Sequence, residues 1–285
     1  MVSSRGLRAV GHQDYSMTSF ELLALDLDGT TVNHDLSIST RVLRTVREAL
    51  DKGVLVTIAT GRNVPSTRPF VERFAVNAPV ICQQGGMIYD YRTERVLHHI
   101  TLPHELACEL AALERQHPTW KAVVYQGDRI YVTDGAFFSW LDNLVGQGFS
   151  AVPDLCMVLG RNDADKILFT LDPHEAPAAL ERLRAIVGGR ATVVQSHARF
   201  VEVNPLGADK GSALKMLAAD LGIARERVMA IGDQGNDVTM IEWAGLGVAM
   251  GNGNELTKSV ADWVAPGIEA DGAAIAIEKF ILGEG

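Results

Sequence analysis

From residue 20 onward, short apolar runs alternate with amphipathic stretches, and no other feature of the chain constrains its fold so strongly. Residues 21–27 (ELLALDL) read as a strand that ends at a Gly-Thr turn. A helix follows: Ser39 is a good N-cap, and Ile38, Val42, Leu43, Val46 and Leu50 recur at helical spacing until Lys52-Gly53 stops the run. Residues 54–58 (VLVTI) give a second buried strand, a helix starts around Pro65, and 79–82 form a short third strand. This βαβα order implies a parallel sheet with helices on both faces.

The same order returns late in the chain, with helix 209–221, strand 228–231, helix 238–244, strand 246–249 and helix 255–260. Between about 85 and 203 the pattern changes. A helix over 103–117 precedes strands 121–125 and 129–133 around Gln126-Gly127-Asp128, a hairpin signal. A similar unit at 173–187, 191–196 and 199–203 hints at an internal duplication. The expected fold is therefore α/β. A doubly wound, Rossmann-like parallel-sheet core comprises residues 18–85 and 204–285, and an α+β cap domain, residues 86–203, is inserted into it. Residues 1–17 read as a flexible extension, with Met17 an alternative start. The crossings near 85 and 204 suggest a hinge.

Composition narrows the ligand. With 26 basic and 35 acidic residues the formal charge is −9, which repels a nucleic-acid backbone, so a small molecule is expected in preference to DNA or RNA. Cys82, Cys108 and Cys156 are odd in number and lack C-x-x-C spacing, so all three read as small buried apolar side chains in a reducing compartment. No apolar run reaches the roughly 18 residues of a membrane span, and the N-terminus lacks the apolar core of a secretion signal. A cytoplasmic protein is expected, a monomer or small homo-oligomer with no membrane partner.

In an open parallel sheet, ligands bind beyond the carboxyl ends of the strands. Four such ends carry polar clusters. In Asp26-Leu27-Asp28-Gly29-Thr30 the i, i+2 spacing aims two carboxylates the same way, and carboxylates that close call for a cation between them or a proton on one. Ala59-Thr60-Gly61-Arg62 offers a hydroxyl and an accessible backbone N–H. Lys210, at the entry to a helix, suits an anion such as phosphate. Gly232-Asp233-Gln234-Gly235-Asn236-Asp237 adds two carboxylates and an amide. Taken singly, the first reads equally as an Asx-capped turn, the second and fourth as capped helix starts, and Lys210 as a solvated side chain. Together they describe a Mg²⁺ site beside an oxyanion site, since hard oxygen ligands without a His or Cys cluster favour Mg²⁺ over zinc.

These four motifs resemble those of the haloacid dehalogenase superfamily of phosphohydrolases, in the Cof-like branch with a type IIB cap, and the resemblance spans about residues 20–282. Residues 201–207 (VEVNPLG) and Asp271-Gly272 also resemble that branch. The resemblance implies that Asp26 is a nucleophile forming an aspartyl-phosphate, while Asp28 protonates the leaving alcohol and later activates water. It further implies Mg²⁺ held by the Asp26 carboxylate, the Asp28 backbone carbonyl and Asp233, with Asp237 orienting the metal's waters or Lys210 from behind. Thr60, Gly61, Lys210 and Asn236 would contact the phosphoryl group, and the inserted domain would close as a lid. The implied activity is hydrolysis of a small phosphorylated metabolite, with sugar phosphates favoured. A phosphosugar mutase or other phosphotransferase using the same aspartate is one alternative, and a non-catalytic phosphometabolite sensor is another.

Two positions depart from the branch. Gln83-Gln84-Gly85-Gly86 stands where relatives show an Asn-Gly-Ala turn, and Ile268 where an Asn precedes the Asp-Gly pair. Neither a dinucleotide fingerprint nor a G-x-x-x-x-G-K-S/T loop is present. A cap helix around 136–144 carries Phe137, Phe138 and Trp140, read as packing residues.

Overall fold

The computed structural model describes residues 20–137, 148–160 and 163–284. In chain order the strands are β1 (Leu22–Leu25), β2 (Leu55–Ile58), β3 (Val80–Cys82), β4 (Met87–Asp90), β5 (Arg95–His99), β6 (Lys121–Gln126), β7 (Arg129–Val132), β8 (Ser150–Ala151), β9 (Lys166–Thr170), β10 (Ala191–His197), β11 (Phe200–Pro205), β12 (Val228–Gly232), β13 (Leu246–Ala249) and β14 (Trp263–Val264).

Strand β1 has no polar side chain because both of its faces are covered. Leu23 and Leu25 enter one apolar cluster, Leu22 and Ala24 the opposite one, and all four are fully buried. Val42 and Val46 of helix Thr40–Asp51 cover the first face, and Leu214 and Leu217 of helix Lys210–Asp220 cover the second. Each such Leu contributes about 1.5–3 kcal/mol relative to an exposed one. Ser39 caps the first of these helices as the sequence indicates, its hydroxyl accepting from the Val42 N–H. The resulting sheet is parallel throughout, in the order β14-β13-β12-β1-β2. This is the doubly wound α/β layer expected.

The second layer is a sheet in the order β10-β11-β9-β6-β7-β8, antiparallel except for the β7–β8 edge. Alternation along β6 sends Ala122 and Val124 into a cluster with helices His104–Ala111 and Ala176–Val187, while Val123 and Tyr125 face the other way. The helix read over 103–117 is two pieces, His104–Ala111 and Leu113–Gln116.

Strands β3, β4 and β5 form a small antiparallel sheet. Met87 and Ile88 enter the apolar clusters of the parallel layer, and Leu102 is the first residue after them in the cluster beneath the cap sheet. By packing, the chain crosses between the layers near residues 100 and 205.

The cysteine reading needs correction. Cys108 and Cys156 form a disulfide with their Cα atoms 5.0 Å apart, joining helix His104–Ala111 to helix Leu155–Leu159, while Cys82 is a buried free thiol. The partners are 48 residues apart and belong to no motif, so only the folding of the cap brings them together. No helix among the described residues is long and apolar enough to cross a membrane. Residues 1–17 and most of the helix read over 136–144, including Phe138 and Trp140, lie outside the described residues.

Candidate active site

The register of the parallel sheet aligns Leu25 with Ile58 on one side and with Ile231 on the other. The residues that follow, Asp26, Thr60 and Asp233, therefore emerge along one edge. The chain leaves β1 toward β2 and returns as β12 on the opposite side, so the strand order reverses beside β1 and a crevice opens at its carboxyl end. A cleft of about 1200 Å³ lies there, lined by Asp26, Asp28, Thr60, Gly61, Asp233 and Asn236 from below. Lys210 and Asp237 sit behind this floor.

Lys210 opens its helix, with Asp209 as the N-cap, at the end where the macrodipole disfavours a cation. It is also fully buried. Both penalties are offset by two carboxylates: Nζ donates to Asp26 Oδ1 at 2.5 Å and to Asp237 Oδ1 at 2.6 Å. The other Asp237 oxygen accepts the backbone N–H groups of Asp233 and Gln234, each at 2.9 Å. Asp237 thus braces both the lysine and the loop that carries Asp233. The Asp233 carboxylate accepts from the Thr30 hydroxyl at 3.2 Å and the Gln234 amide at 3.1 Å. Gly29, at φ 89°, permits this approach, because a Cβ there would stand 2.5 Å from Asp233 Oδ2.

Asp26, Asp233 and Asp237 offer oxygens all within 4.8 Å of one another. Burial, then Asp237, pushes the Asp26 carboxyl well above the usual range. Burial, again followed by Asp237, pushes Asp233 up to about 6. Burial works against the Lys210 charge, yet Asp237 and Asp26 outweigh it and raise its pKa. One ammonium against three crowded carboxylates leaves negative charge uncompensated, in a donor set made only of oxygens. That set fits a hard divalent cation such as Mg²⁺.

At the mouth, the Arg62 guanidinium forks onto Asp28, Nε to Oδ2 at 2.9 Å and Nη2 to Oδ1 at 2.6 Å, and lies 4.9 Å over the Phe70 ring. The Thr60 hydroxyl accepts the Arg62 N–H at 3.2 Å. Asn236 donates to Gln84 Oε1 at 2.9 Å, and its own Oδ1 is buried without a hydrogen-bond partner. All eight residues singled out from the sequence meet at this edge. Ile268 also lines the cleft, and its backbone N–H donates to Asn252 Oδ1 at 2.9 Å. Asn252 in turn donates to the Gly29 carbonyl at 2.8 Å.

The cap supplies the roof, through residues that no motif marked. Tyr125, Leu168 and Phe200 come from the cap-sheet face turned toward the cleft, and Phe137, read as a packing residue, lines it beside them. Buried Lys166 spans the two layers, donating at 2.8 Å to the Gly61 carbonyl below and at 2.8 Å to Glu202 in the cap. Burial opposes the Glu202 charge, but Lys166, Ser196 and Gln84 hold its pKa below the ordinary value. The one sequence signal for this pair was a Glu between two apolar neighbours in the strand 201–203. Nothing local matched it to a lysine 36 residues away.

A family model described as haloacid dehalogenase-like hydrolase matches residues 23–277. The 5-amino-6-(5-phospho-D-ribitylamino)uracil phosphatase YcsE of Bacillus subtilis (strain 168) is 32% identical over 271 residues, which cover 92% of this chain and 96% of that relative. The chloroplastic endoribonuclease YBEY of Arabidopsis thaliana is 29% identical over 276 residues, 92% of this chain, but the chain spans 46%, about half, of that longer protein. The crystal structure of a haloacid dehalogenase-like hydrolase from Bacteroides thetaiotaomicron matches with a TM-score of 0.82 and 28% identity, covering 92% of this chain and 99% of that one.

Proposed function

The chain belongs to the haloacid dehalogenase-like hydrolases, and on that premise we propose that it is a phosphatase acting on a small phosphorylated metabolite, with a sugar or sugar-alcohol phosphate the favoured class. The observation that carries this reading is the Lys210–Asp26 bond on the floor of a cleft that Asp28, Thr60 and Asn236 also line. The phosphorylated ribityl group in the name of the 32% identical relative supports the substrate class.

In this mechanism Lys210 fixes the rotamer of Asp26 through Oδ1, and a carboxylate oxygen of Asp26 attacks phosphorus as the ester P–O bond breaks. The leaving oxygen takes a proton from Asp28. A water then attacks the phosphoryl-Asp26, gives a proton to the Asp28 carboxylate, and releases inorganic phosphate as the P–O bond to Asp26 breaks. The Arg62 fork holds the Asp28 side chain at the mouth of the cleft. A phosphoryl dianion competes with Asp28 for the same guanidinium and so frees the Asp28 side chain to reach the leaving oxygen.

Thr60, the Gly61 N–H, Lys210 and Asn236 contact the equatorial oxygens, where positioning and charge neutralisation supply most of the catalysis. The Asp26 and Asp233 carboxylates with the Asp28 carbonyl would hold Mg²⁺, which supplies charge neutralisation to those same oxygens. Asp237 keeps Asp233 and Lys210 in place. The cap excludes water from above and reads the leaving group.

The test is phosphate release from a panel of sugar phosphates and nucleotides, with and without Mg²⁺, in wild type and Asp26→Asn. The expected outcome is Mg²⁺-dependent release that the substitution lowers by on the order of 10³-fold or more. No release from any ester by the folded protein would overturn the reading. Transfer to an added acceptor alcohol in preference to water would identify a phosphotransferase instead.

A further inference from the structure

Gln83 and Gln84, at the start of the Gln83–Gly85 turn, both occupy the left-handed region, at φ 53° and 58°. Asn and Gly tolerate that region; Gln has no such advantage there. A backbone outlier kept at the rim of a site calls for a function, and the two side chains indicate one. Gln83 Nε2 donates at 3.0 Å to Asp165, and Gln84 Nε2 donates at 3.3 Å to Glu202. Asp165 and Glu202 are the buried carboxylates of the cap layer among the described residues. Asp165 is held further by His99 and by the Gly127 N–H, each at 2.7 Å, and Glu202 by Lys166 and Ser196.

The turn also reaches downward. Gln84 Oε1 accepts from Asn236, and its amide lies so close to Gly61 that a Cβ there would stand 2.5 Å from Nε2. The Gln84 N–H bonds the Thr60 carbonyl at 3.0 Å, and the Gln83 N–H bonds the Arg62 carbonyl at 2.9 Å. One two-residue turn thereby touches both cap carboxylates, the 60–62 loop and the 232–237 loop. A shorter Asn at position 84 has one methylene less with which to span Glu202 and Asn236.

We propose that the Gln83–Gln84 turn is a positioning device that couples docking of the cap to the placement of Thr60, Gly61 and Asn236, with Gln84 the residue that carries the coupling. This rests on the phosphatase reading for the roles of those three residues. It makes activity depend on whether the cap is seated: a leaving group that lets Glu202 and Lys166 dock sets the phosphoryl pocket through Gln84. Gln84 is a positioning residue, since it acts through Asn236 and Gly61.

The test compares wild type with Gln84→Ala, Gln84→Asn and Gln84→Gly by backbone hydrogen exchange over residues 60–62 and 233–236, by melting midpoint, and by kcat and KM on the best ester found. All three variants are expected to speed exchange in those two loops about tenfold. Gln84→Gly, which relieves the backbone, is expected to melt no lower than wild type while its kcat falls about tenfold with KM changed less than threefold. A Gln84→Ala/Asn236→Ala double-mutant cycle in kcat/KM is expected to be non-additive. Exchange in both loops within twofold of wild type, or wild-type kcat in Gln84→Gly, overturns the proposal. If the wild type hydrolyses nothing, the phosphatase reading fails by itself, and the exchange comparison still decides whether Gln84 couples the layers.

Discussion

Lys210→Met keeps an unbranched side chain, one atom shorter, and removes the charge, which tests what the ammonium does. Lys210 is fully buried and bonds Asp26 and Asp237 at 2.5 and 2.6 Å, so its loss leaves the three carboxylates with no buried cation beside them. Breaking a buried pair by removing one partner costs about 3–5 kcal/mol. Proton uptake by Asp26 and Asp233 limits this, which sets the expectation near the lower end, ~3 kcal/mol at pH 7.5. At about 2–4 °C per kcal/mol for a protein of this size, the melting midpoint falls by roughly 6–12 °C.

The pH dependence has a definite sign. Asp26 and Asp233 already sit above the ordinary carboxylate value when folded, and losing Lys210 raises them further. A carboxylate raised on folding destabilises nothing below its unfolded pKa, near 4, and destabilises fully above its folded pKa. The deficit relative to wild type is therefore smaller at pH 5 than at pH 8, and Mg²⁺ recovers part of it at the higher pH. Calorimetry across that range measures it. A midpoint loss under about 2 °C at pH 7.5, or a deficit that grows on acidification, would refute the account of Lys210 as the charge that makes this cluster tolerable.

Two further outcomes are expected. Mg²⁺ at about 100 times its Kd stabilises the metal-free protein at pH 7.5 by ~2.7 kcal/mol, and by less at pH 5, because Asp233, pushed up to about 6, holds a proton there that the ion must displace. Equal shifts at the two pH values, or an undiminished shift in Asp233→Asn, would contradict the assignment. Phe169, fully buried in the cap cluster with its ring 5.8 Å from that of Trp120, is expected to cost about 3–5 kcal/mol on truncation to Ala. Urea titration followed by Trp fluorescence tests this, and an unchanged midpoint would mean that the cap is held by something other than this cluster.

Much of the fold was legible because the relevant signals are local. The unbroken apolar run of β1, the Ser39 cap and the β6–β7 hairpin each depend on residues a few positions apart. The motif residues were legible too: Asp26, Thr60, Asp233 and Asn236 each follow a strand, and equal register brings strand ends to one edge. What remained hidden were the pairings. The Asp26 and Asp28 carboxylates, alike in spacing, have separate environments, one buried on Lys210 and the other at the mouth on Arg62. No string in the sequence assigns an arginine 34 residues on to that second carboxylate.

By itself, then, the sequence determined most strands of the parallel layer and the 121–133 hairpin, where several helices begin, and which four short segments carry oxygen donors and a lysine, while β4, β5, β8, β9 and β14 carried no signal that was read. Hydrophobic period, capping and turn chemistry act over a turn or two of chain, so neighbours suffice to specify them. Tertiary structure alone decided that Lys210 meets Asp26, 184 residues away, that Cys108 joins Cys156, and that the Gln83–Gln84 turn reaches two carboxylates in the cap. Those contacts depend on strand register and on how one layer seats upon the other, quantities set by packing of the whole core and encoded at no single position.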